Sequence, residues 1–185
     1  YQDYPSGRIY YLPREGEDMA TVEAIVPVME TLASVDGTRE RTVHDIQFQN
    51  ITFAHSAWTR PLYEGLVTLQ SGFRMTDAYK LQKPGLPEKA SLENQAWIAR
   101  PEAAVSIRHA SGIDFKDCRF VHLGATALDY QLAASRSTVS GCTFSDIGGT
   151  GILVGHFPDG GFETHVPFKP LVASDLCDAI TIADN

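Results

Sequence analysis

Nowhere does the sequence hold the ~20 consecutive apolar residues that a membrane-spanning helix requires, so no membrane span is expected. Basic residues are outnumbered, Lys+Arg 15 against Asp+Glu 23, which leaves a net charge of -8. Phosphate backbones are bound by basic patches, so nucleic acid is not expected as a partner. Cysteine is scarce, with three residues, and Cys177 has no counterpart in the pattern described below; the redox compartment stays open. His and Cys show no compact ligand spacing, so neither a metal nor a cofactor is expected. What remains is ordinary for a soluble globular chain: 185 residues, 43% hydrophobic and 21% charged, a length that suits one domain over 1–185.

The sequence repeats itself. Phe115-Lys-Asp117-Cys118-Arg-Phe120 returns 24 residues later as Val139-Ser-Gly141-Cys142-Thr-Phe144. Gly124-Ala-Thr-Ala-Leu128 returns at the same offset as Gly148-Gly-Thr-Gly-Ile152. Upstream, Ile46 to Phe53 aligns with Ile113 to Phe120, which sets His55 opposite His122; downstream, Ile180-Thr-Ile182-Ala-Asp184 begins another copy. The apolar runs alternate and are too short for helices, so they read as strands. A fixed period of this size marks a repeat architecture. The predicted fold is all-β, a right-handed parallel β-helix of short stacked strands. One corner is filled in turn by Asn50, Asp117, Gly141 and Asp184, the residue types that tolerate a positive φ. The register predicts Ile51, Cys118 and Cys142 in one inward column and Phe53, Phe120 and Phe144 in the next. A buried thiol ladder is the simple reading of the cysteines, against a disulfide or a metal site.

The first 35 residues read as an earlier, less regular rung, with strands at 9–12, 24–28 and 32–35. Two insertions break the period, at about 72–101 and 156–176, with a third strand at 66–69 before the first. Loops of this length in a compact coil are usually functional. Both are expected to leave one corner and to form two walls over a floor carrying Asp129. The chain stops within a repeat at Asn185, which suggests a section of a longer β-helix.

Asp129 stands where the neighbouring repeat has Leu153, and strand alternation turns it away from the core. It reads as a solvated surface acid or as a cleft carboxylate. Glu163 and His165 share the second insertion and supply an acid and an imidazole for acid–base chemistry, or are simply solvated. Asp129 and Glu163 are the candidate catalytic residues. His55 and His122 either face one groove or stack on each other, and His156 opens the second insertion. Trp58, Trp97 and Tyr79 offer flat faces to a sugar ring or pack the first insertion. The candidate substrate-binding set is therefore His55, Trp58, Trp97, His122, His156 and His165.

Four segments carry a resemblance: Gly7 to Asp18, Ile51 to Trp58, Glu93 to Trp97, and Glu163-Thr-His165. They are similar to segments of bacterial β-helix glycosidases, and the sequence resembles glycoside hydrolase family 141. The resemblance implies a pectin lyase-like β-helix, hydrolysis of plant polysaccharide with retention or inversion, and fucosidase- or xylanase-like activity. It implies a polysaccharide or oligosaccharide partner, and hence a periplasmic or secreted setting. Members are much longer than this chain, so the remainder of a β-helix is the other expected partner. A polysaccharide lyase and a non-catalytic carbohydrate-binding β-helix are the competing functions. The outward faces show no cluster of Asp with Arg or Lys on successive rungs, which ranks the lyase lower.

Overall fold

The computed structural model describes residues 2–3, 5–60, 74–78, 96–155, 162–163 and 172–185; at 2, 74–78, 96–99 and 162–163 it describes the backbone. The chain is mostly β. In order, the strands are β1 (Gln2–Asp3), β2 (Arg8–Ile9), β3 (Ala33–Asp36), β4 (Val43–Gln49), β5 (Thr52–Ser56), β6 (Arg74–Ala78) and β7 (Ala96–Ala99). They continue as β8 (Ala103–Lys116), β9 (Arg119–Leu123), β10 (Thr126–Ser140), β11 (Thr143–Ile147), β12 (Ile152–Val154), β13 (Phe162–Glu163) and β14 (Asp178–Ala183).

Two parallel ladders carry the architecture. One runs β12-β10-β8-β3, with β14 beside β10 and β4 beside β8; the other runs β11-β9-β5. The chain alternates between them, so each return places a segment beside its own repeat. Phe48 pairs with Phe115, Val139 with Phe115 and Ile182 with Val139 in the first ladder. Phe53, Phe120 and Phe144 are partners in the second. This is the register read from the sequence.

The bends between segments are backbone features. Asn50, Asp117, Gly141 and Asp184 take φ of 54, 52, 66 and 56°, the left-handed region that their types favour. The Asn50 amide donates to the Lys116 carbonyl and the Asp117 amide to the Ser140 carbonyl, at 3.1 and 3.0 Å. These two bends are therefore satisfied by the neighbouring segment. Gly148 answers a different need. A Cβ there would lie 2.1 Å from the Gly124 carbonyl oxygen, so the repeated glycines permit close stacking of two turns.

The core lies between the ladders. Phe48 stacks on Phe115 at 4.9 Å, Phe53 on Phe120 at 5.0 Å and Phe120 on Phe144 at 4.7 Å. These centroid spacings equal the distance between neighbouring strands, so one ring per segment stacks with its repeat. Phe115, Phe120, Leu128 and Tyr130 are fully buried. The Tyr130 hydroxyl donates to the Ile113 carbonyl at 2.9 Å, which removes the cost of burying it. Cys118 and Cys142 are buried and unbridged, their thiols set against backbone carbonyls. Ile51 shares their register through its carbonyl, which accepts from the Arg119 amide as the Cys118 carbonyl accepts from Thr143. It stands at the outer end of the column and is 40% exposed.

The amino-terminal third differs from expectation. Of its three predicted strands, the third forms as β3 on β8, whereas Ile9 belongs to a two-residue antiparallel hairpin and 24–28 forms no strand. Leu12 is 88% and Val28 83% exposed. An alternating apolar run becomes a strand only when a neighbour takes its amides and carbonyls, and none of the described strands pairs with Leu12 or with 24–28. The strand expected at 66–69 lies outside the described residues.

Candidate functional site

Asp129 lies on the segment where the two insertions meet the ladders. Its strand neighbours in register are Ser106 on one side and Leu153 on the other. Leu128 and Tyr130 belong to the core, so alternation places Asp129 on the opposite face. That face is not the open floor expected from the sequence, because Asp129 has no exposed surface. Arg100 covers it. Its Nε donates to Oδ2 at 2.7 Å and its Nη2 to Oδ1 at 2.5 Å, a two-pronged pairing that matches the guanidinium fork to the carboxylate. Burial pushes the Asp129 carboxyl above the usual carboxylate range, and the bonds and charge of Arg100 pull against it. The Cys177 thiol, raised chiefly by burial, lies close enough to feel both charges and reaches the Tyr130 carbonyl at 3.4 Å.

The insertions do not leave one corner. β8 resumes the ladder at Ala103, before the Val105–Leu128–Ile152 row, and the second insertion departs after Val154. They therefore flank opposite ends of the short strand segment that carries Asp129. Ala103 to Ile107, rather than a strand at 66–69, fills the ladder position beside Thr126 to Tyr130. Yet the insertions join. β6, β7 and β13 form an antiparallel sheet in which Phe162 pairs with Ile98 and Glu163 with Trp97. Two candidate residues from distant parts of the sequence are thus direct register partners. β7 ends at Ala99, one residue before the arginine that holds Asp129.

Trp58 stands at the departure of the first insertion, with its indole Nε1 donating to Glu102 Oε2 at 3.0 Å. Beside it, Glu30 accepts from both the amide and the hydroxyl of Thr59 at 2.7 Å. Arg100 and Glu102, at the return of the insertion, so connect Asp129 on one turn with Trp58 on another. His55 and His122 lie elsewhere, on the second ladder. They stack at 5.1 Å, each with left-handed φ, and His122 Nδ1 meets Asp146 Oδ2 at 2.6 Å. The two rings thus stack, on a different ladder from Asp129. His156, His165 and Tyr79 lie outside the described residues.

Sequence reasoning missed Arg100, Glu102 and Glu30. Arg100 and Glu102 fall outside the repeat, where there is no register to compare, and a pairing across 29 residues leaves no local signal. Among the described residues, no three His, Cys, Asp or Glu side chains gather closely enough to hold a metal ion. No described helix is long and apolar enough to cross a membrane.

Comparison with known proteins gives one informative likeness. No family model matches the sequence, and neither does any curated protein. A solved structure described as "Glycoside hydrolase" is 41% identical and superposes with a TM-score of 0.79. The match takes in 98% of this chain and 31% of that one, so the sequence spans under a third of the length of the protein it is similar to.

Proposed function

We propose that the chain is part of a carbohydrate-active enzyme, a glycoside hydrolase built on a right-handed parallel β-helix. The observation that carries this reading is the 41% identity, over 98% of the chain, to a structure described as a glycoside hydrolase. The parallel ladders with stacked phenylalanines agree with consecutive turns of a solenoid. The exposed apolar side chains before residue 30 suit a surface that a further part of a longer β-helix would cover.

In this reading the substrate is a plant cell-wall or related polysaccharide, and the groove lies at the antiparallel sheet of the two insertions. Glycosidic hydrolysis is carried out by two carboxylates flanking the bond. Glu163 supplies one, with Trp97 as its register partner offering a stacking face. Asp129, fixed by Arg100, is the other candidate; reaching substrate requires the insertion above it to shift, so its first role is to hold the return of the insertion in place. Trp58, oriented by Glu102, is the second stacking face. Fucosidase-like and xylanase-like specificities both fit such a groove.

The test is native gel electrophoresis in gels cast with xylan or with fucosylated pectic fragments. At least one should retard the protein, and Trp97→Ala should remove most of the retardation, since it takes away the flat apolar face. A folded protein retarded by none of these polysaccharides contradicts the reading.

A further inference from the structure

A second groove, of about 430 Å³, opens beyond the Asp129 segment, where the ladder bends. It is lined by Arg39, His44, His109, Ser111, Ser135 and Arg136 among others, and by no carboxylate among the described residues. In a chain of net charge -8 this is a local concentration of cationic and hydroxyl groups. Carboxylates stand at its rim. Asp175 takes Arg39 with both oxygens at 2.8 Å, and Asp45 meets His44 at 2.7 Å. Glu40, held low chiefly by its own amide and the Thr38 hydroxyl, also feels His109. Arg136 is different. Its Nε donates to Ser111 Oγ at 2.9 Å, and Ser135 Oγ bonds the same oxygen at 3.1 Å. No carboxylate meets its guanidinium among the described residues.

The backbone under Arg136 admits a clean variant. Asp45, Gly112, Arg136 and Ala179 form one bend column with φ of 59, 65, 50 and 49°. Glycine or Asp suits that conformation, and a long side chain there carries a steric cost. Glycine at this position would remove the guanidinium without adding strain.

We propose that this groove binds the oxyanion of an acidic sugar, a carboxylate or a sulfate, with Arg136 as the charge that receives it and the serines as hydroxyl partners. It is a separate site, since neither Asp129 nor Arg100 borders the groove. The glycan reading above supplies the carrier of the anion; the anion contact itself does not depend on it.

The experiment follows the histidine ring resonances of the 185-residue protein, two of whose six histidines line the groove. The additions are trigalacturonate, xylotriose and sodium sulfate. Trigalacturonate should shift the His44 and His109 signals with at least tenfold higher affinity than xylotriose, and sulfate should compete. Arg136→Gly should remove that preference while melting no lower than the parent, because glycine relaxes the bend. Arg136→Lys should retain part of it. Equal binding of the two trisaccharides, or an Arg136→Gly protein that binds as before, overturns the proposal. Shifts with sulfate alone that vanish in Arg136→Gly support the oxyanion site while removing the glycan as its ligand.

Discussion

Replacing Arg100 by leucine should destabilise the protein by about 3–5 kcal/mol at neutral pH, the cost of leaving one buried partner of an ion pair alone. The reason is geometric. Asp129 has no exposed surface, and Arg100 holds both of its oxygens. Without the arginine, burial acts on the carboxyl with less opposition, and its position above the usual carboxylate range becomes more pronounced. The sign of the pH dependence follows. A carboxyl whose folded pKa exceeds its unfolded value contributes stability that is fully present below the unfolded pKa, about 3.9 for Asp, and lost as pH rises through the folded one. The Arg100→Leu defect should therefore be largest near pH 7 and shrink toward pH 4. Replacing both partners by leucine should recover most of the loss, since neither member of this pair is then left facing an empty place. Urea melts at pH 7 and pH 4 check all three statements. A pH-independent defect, or a double variant worse than the single one, would show that the pair is not the source.

The second large effect concerns the aromatic column. Phe120 is fully buried and stacked between Phe53 and Phe144. Phe120→Ala removes transfer energy and two stacking contacts and leaves a cavity between rigid ladders, at a cost of about 3–5 kcal/mol. For a chain of this size that corresponds to a fall in melting temperature of roughly 6–20 °C. Phe120→Leu should cost about 1.5 kcal/mol or less, because most of the volume is retained. Thermal melts followed by circular dichroism distinguish the two. Equal melting of parent and Phe120→Ala would remove the ring from the core.

The repeated part of the fold was legible because repetition is itself a physical signal. A phenylalanine must sit beside a phenylalanine when each segment lies on its own copy, so the 24-residue spacing of Phe120 and Phe144 gave their pairing directly. The Asn50 column was legible for a second reason, since its residue types favour the conformation observed. The Asp45 column was not: Arg136 and Ala179 are poor left-handed residues, and their φ is imposed by the neighbouring turns. The amino-terminal strands failed because alternation reports that a segment can form a strand, while a partner decides whether it does. At the candidate site, periodicity placed Asp129 on the face away from the core. It said nothing of what covers that face, because Arg100 comes from an insertion with no repeat to align. The pairing of Glu163 with Trp97 was hidden for the same reason.

If the joined insertions bind a glycan as proposed, the sequence offers a direct reporter of it. It holds two tryptophans; Trp58 stands at the departure of the first insertion and Trp97 on the strand that pairs with Glu163. Titrating the protein with xylan-derived and fucosylated pectic oligosaccharides while following tryptophan emission tests the claim. A saturable change is expected with at least one of them, lost in Trp97→Phe or Trp58→Phe. A folded protein whose emission responds to none of these sugars would contradict it.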